Sequence, residues 1–60
     1  MNRSTKLEIQ SEIQGIEDKL SAIRSEVHVD REYVDQVYIT EKAGRIKDTL
    51  DWIIELAKGE

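Results

Sequence analysis

The sequence predicts an all-α protein. The expected form is an antiparallel helical hairpin, with helices at about 4–27 and 40–58 and a connector at 28–39, that dimerises into a four-helix bundle. Three observations lead there. Two aliphatic series recur at helical spacing, one in each half of the chain. The chain is too short to bury a large core and has no cysteine to compensate. It also carries more apolar residues than one hairpin seam can use.

The first helix rests on Ile9, Ile13, Ile16, Leu20, Ile23 and Val27, which step 4, 3, 4, 3, 4. That spacing lays six aliphatic side chains along one stripe of a helix. Ser4 is the expected N-cap, with Glu8 near the positive helix end. Gly15 lies off the stripe and costs about 1 kcal/mol relative to Ala.

The connector from His28 to Tyr38 admits two readings. Asp30 can cap a short helix or a kinked extension, with Val29 and Val34 as a hydrophobic staple. Alternatively, Tyr33 to Ile39 is rich in β-branched and aromatic residues and suits an extended strand. A lone strand needs a partner, so helix is the preferred reading.

The second helix repeats the first pattern through Ile39, Ala43, Ile46, Leu50, Ile53 and Ala57. Thr40 is its expected cap and Gly59 its stop, with Glu41 and Arg45 as an i,i+4 ion pair. Read antiparallel, the stripes align Val27 with Ile39, Ile23 with Ala43, Leu20 with Ile46, Ile16 with Leu50, Ile13 with Ile53, and Ile9 with Ala57. This register also brings Glu17 near Lys47 and Glu26 near Lys42.

Sixty residues allow one domain, spanning 1–60. A chain of that size buries only about 60% of its unfolded surface, so it usually needs disulfides, a metal or oligomerisation. The absence of cysteine removes the first and all thiolate metal sites. Leu7, Val34, Val37, Tyr38, Trp52, Ile54 and Leu56 lie off the two stripes and are the expected dimer or partner interface. Trp52 leads that set, because tryptophan is enriched at binding hot spots.

Charge and chemistry narrow the functional class. The chain has 9 basic and 13 acidic residues, a net charge of −4, and its basic residues are scattered. A phosphate-binding surface needs clustered Lys and Arg, so nucleic acid is an unfavoured partner. The N-terminus lacks the apolar core of a signal peptide, and no apolar run exceeds three residues, so a cytoplasmic protein without a membrane span is expected.

His28, flanked by Glu26 and Asp30, resembles an acid–base or metal trio only if that segment is extended, and no second imidazole exists. Polar residues at a helix end explain it better. Gly15, Gly44 and Gly59 are isolated and form no phosphate loop. The pairs Glu8 with Glu12 and Asp51 with Glu55 read as solvated faces.

No catalytic residue, cofactor or metal ligand is therefore assigned, and an enzyme is not expected. The expected function is a small acidic protein–protein interaction module, such as an adaptor or an inhibitor of a partner protein of the phage or plasmid accessory kind. The alternative is a small dimeric DNA-binding regulator that pairs residues 33–39 into a ribbon and uses Arg31, Lys42, Arg45 and Lys47 as contacts.

Overall fold

The computed structural model describes residues 1–28 and 33–59. Two helices account for nearly all of them: α1, Arg3–His28, and α2, Gln36–Lys58. A helix of 26 residues spans about 39 Å. The whole Cα trace measures 47 × 15 × 8 Å, so the helices lie side by side as an antiparallel hairpin. Among the described residues there is no strand.

Both helices begin earlier than their expected caps. At α1 the side-chain oxygen of Asn2, not Ser4, accepts the Thr5 N–H at 2.8 Å. The Asn2 carbonyl takes the Lys6 N–H at 3.1 Å. At α2 the cap is Asp35, not Thr40: its backbone is extended and its Oδ1 accepts the Tyr38 N–H at 3.0 Å. Asparagine and aspartate outrank serine and threonine at this position, or at least match them.

The earlier start converts residues 36–39, the last part of the expected connector, into helix. Val37, Tyr38 and Ile39 have high strand propensity, but a capped helix places Ile39 against α1, and that packing overrides propensity. Tyr33 to Asp35 are non-helical. The proposed Asp30 cap and the Val29 half of the staple lie outside the described residues.

A hydrogen bond joins the helices where the chain turns. The Asp35 N–H donates to Glu26 Oε2 at 3.1 Å, so the residue that caps α2 is also tied to the last turns of α1. At the far end the Gly59 N–H donates to the Glu55 carbonyl at 3.0 Å, which closes α2 at the expected stop. The Glu41–Arg45 ion pair forms at 3.4 Å between two exposed side chains.

The line along which the helices meet differs from the expected seam. In α1 the half-buried positions include Ile9, Glu12, Ile16, Lys19, Ile23 and Glu26. In α2 they include Ile39, Lys42, Ile46, Thr49, Ile53 and Leu56. Half of each expected stripe is therefore kept; the other half is replaced in α1 by the charged column Glu12, Lys19 and Glu26, and in α2 by Lys42, Thr49 and Leu56. Ile13, Leu20, Val27 and Leu50 instead stand 42%, 49%, 53% and 48% exposed, and Ala43 and Ala57 are exposed too.

At 100° per residue, this exchange turns each helix by about 50° from the expected orientation. Long polar side chains can occupy the line because their methylene stems cover the isoleucines while their heads reach water. Thr49 satisfies its hydroxyl within its own helix, by donating to the Arg45 carbonyl at 3.0 Å. No described residue is fully buried.

Candidate interaction surface

The direction of that turn defines the surface. An antiparallel pair is related by an approximate two-fold axis perpendicular to the hairpin plane. Corresponding columns of the two helices therefore stay on the same side of the packing line. Ile13, Leu20 and Val27 of α1 and Ala43, Leu50 and Ala57 of α2 occupy corresponding columns, one step beyond the shared isoleucines. They form one continuous aliphatic side, with the edges of Ile9, Ile16 and Ile23 and of Ile39, Ile46 and Ile53 between them.

Glu17, Leu20, Ser21 and Arg24 line a shallow hollow at the border of this side, so charged residues flank the aliphatic strip along α1. On α2 the position that corresponds to Glu17 is Lys47, which is exposed. At mid-length the aliphatic strip is thus flanked by Glu17 on α1 and Lys47 on α2, with Arg24 one heptad beyond Glu17 on the same edge.

The opposite side is built differently. Tyr38, Arg45 and Trp52 follow one another at seven-residue steps along α2, across from Gly15 and Ala22 of α1. Each has neighbours on its own helix while remaining exposed. The Lys42 ammonium sits 5.4 Å from the centre of the Tyr38 ring, within cation–π range. Arg45 pairs with Glu41. Trp52 borders a shallow hollow with Asp48, Asp51, Ile54, Glu55 and Lys58. Over Gly15, the Lys19 ammonium lies 3.9 Å from where a Cβ would stand.

The residues expected from sequence to form an interface do not lie on one face: Trp52 and Ile54 share one shallow hollow and Val34 and Val37 another. Tyr38 and Trp52 share the aromatic side. Leu56 is half-buried on the packing line. Ile54 lies at the outer edge of α2, Leu7 on the outer surface of α1, and Val37 on the outer surface of α2, all exposed. Val34 is half-buried before α2 and borders a shallow hollow with Tyr33, Gln36 and Val37.

The residues that do form a continuous surface are ones that the aliphatic spacing predicts inside the hairpin. The signal that distinguishes the two arrangements is the charged column Glu12, Lys19, Glu26, whose period of seven matches that of the isoleucines. Among the described residues, no group of three or more His, Cys, Asp or Glu converges to hold a metal ion. Likewise among them, no helix is long and apolar enough to cross a membrane. His28 ends α1, and Asp30 of the proposed trio lies outside the described residues.

No family model matches the chain, and no curated protein or solved structure shows significant similarity to it.

Proposed function

We propose that this chain is a non-enzymatic protein–protein interaction module whose working form is a homodimer of helical hairpins, a four-helix bundle. The observation that carries this reading is the aliphatic side of the hairpin. A two-helix unit with no fully buried residue among those described has little to offset the entropy of ordering its backbone. A second layer of helices converts Ile13, Leu20, Val27 and Leu50 from exposed to core.

The dimer in turn presents the aromatic sides outward, with Tyr38 and Trp52 available to a protein partner and a net negative surface around them. A role as adaptor or inhibitor of a partner protein fits that presentation. Nucleic acid fits it less well. Lys42 and Arg45, two of the basic residues such a role would use, stand beside Tyr38 and the carboxylate of Glu41 in a chain of net charge −4. The paired ribbon it would need overlaps the first turn of α2.

Sedimentation equilibrium, with circular dichroism on the same samples, tests the proposal. The expected result is a helical dimer at micromolar concentration. A folded, helical monomer at that concentration would overturn it.

A further inference from the structure

The charge rim and the uneven side-chain sizes of the aliphatic side carry a more specific conclusion, which rests on the dimer proposed above. We propose that two copies stack these sides with both chain turns at the same end of the bundle, so that α1 of each copy lies on α2 of the other. The occupant of the surface is therefore a second copy of this chain.

Two-fold symmetry permits two ways of pressing identical sides together. If the axis runs along the helices, each α1 covers the partner copy's α2 and the turns share one end. If it runs across the helices, each α1 covers the other α1 and the turns lie at opposite ends. Both arrangements leave every pair of neighbouring helices antiparallel. Helix direction therefore does not distinguish them, and side chains must.

Charge favours the first arrangement. Glu17 and Lys47 stand at nearly the same height on opposite rims, since each lies near the middle of its own helix. With the turns together, each Glu17 meets a Lys47 of the other copy, twice by symmetry. With the turns apart, Glu17 meets Glu17 and Lys47 meets Lys47. Like charges facing each other across an interface are destabilising.

Size favours the same arrangement. The column on α1 is uniformly large, with Ile13, Leu20 and Val27, while that on α2 alternates Ala43, Leu50 and Ala57. Facing the large column with the mixed one keeps the helices evenly spaced and fills the volume. Facing each column with itself crowds one pair of helices and leaves gaps between the other, and both faults cost stability. The area is adequate as well. A side of 47 × 15 Å offers roughly 700 Å² per copy in projection, near the ~800 Å² per partner of a standard interface.

The chain has no cysteine, so Ser4→Cys provides a single site for a nitroxide label near the start of α1. Pulsed electron resonance on the labelled dimer then measures the distance between the two copies' labels. Turns at one end place them about one bundle diagonal apart, ~14 Å plus the label arms for helix spacings of 8–10 Å. Turns at opposite ends separate them by most of the 47 Å hairpin length, and that result overturns the arrangement while leaving the dimer intact. A monomer in sedimentation overturns the dimer itself.

Charge exchange gives an independent reading. Glu17→Lys and Lys47→Glu should each weaken dimerisation about two- to five-fold, and the double exchange should restore it. Single exchanges that leave the dissociation constant unchanged would also overturn the arrangement.

Discussion

The side of the hairpin that carries Leu20 and the side that carries Trp52 both display large apolar groups, but they differ in how those groups are supplied with neighbours. On the aromatic side the helix supplies them itself: Lys42 over Tyr38, Glu41 against Arg45, and a ring of charged side chains around Trp52. On the aliphatic side Ile13, Leu20, Val27 and Leu50 stand exposed across both helices, and charged neighbours reach them only at the edge, where Leu20 meets Glu17 and Arg24. Exposure alone does not separate the two sides, since Trp52 and Leu50 are equally exposed. What separates them is continuity across both helices and the absence of polar side chains within the strip.

The most direct way to break this comparison is truncation on each side. Leu20→Ala should cost about 2–3 kcal/mol of dimer stability per chain, because it opens a cavity in the layer between hairpins. Trp52→Ala should cost less than ~1 kcal/mol, because that side faces solvent in the proposed dimer. Urea denaturation followed by circular dichroism measures both. Equal losses would mean that the two sides play the same part.

Asp35→Ala acts at the turn rather than on either side. It removes the cap of α2 and should cost about 1 kcal/mol in the same titration. The loss should be similar in a background that already carries Leu20→Ala, since the two positions share no contact.

Gly44→Ala should stabilise by up to ~1 kcal/mol, because an added Cβ there meets nothing within 4 Å and alanine is the better helix former. Gly44 belongs to neither side, so the gain should appear without any change in the oligomer measured by sedimentation. The smallest effect is expected on the aromatic side. Glu41→Gln should cost a few tenths of a kcal/mol and should lose even that at high salt, because the ion pair is exposed.

The existence of two helices and their antiparallel pairing were legible in the sequence, because six-residue aliphatic series at 4, 3 spacing have no other economical reading. Gly59 as the stop of α2 and the Glu41–Arg45 pair were legible for the same local reason. The starts of the helices were less so. Asn2 and Asp35 compete with Ser4 and Thr40 as caps, and which one wins depends on whether the added turn finds packing. For α2 it does, through Ile39.

The rotation of the helices was not legible from apolar spacing alone. An aliphatic stripe two columns wide can turn either column toward its neighbour. The hairpin takes the arrangement that pairs isoleucines with the stems of Glu12, Lys19, Glu26 and Lys42, leaving the second column free. The surface followed from that choice, which is why the interface expected around Trp52 and the aliphatic side differ. Apolar spacing identifies surplus residues singly, whereas a surface depends on two helices being turned in the same sense.

The bond from the Asp35 N–H to Glu26 has a kinetic consequence. It links residues nine apart in the chain, so the contact that registers the two helices closes a short loop and forms early and fast. The hairpin can then zip outward from the turn through contacts of steadily increasing separation, as low-contact-order proteins do. The product of that rapid step is still a structure with no buried residue among those described, and in the proposed dimer it gains its core from a second copy. Folding should therefore be unimolecular and quick up to the hairpin and bimolecular thereafter, with an observed refolding rate that rises with protein concentration.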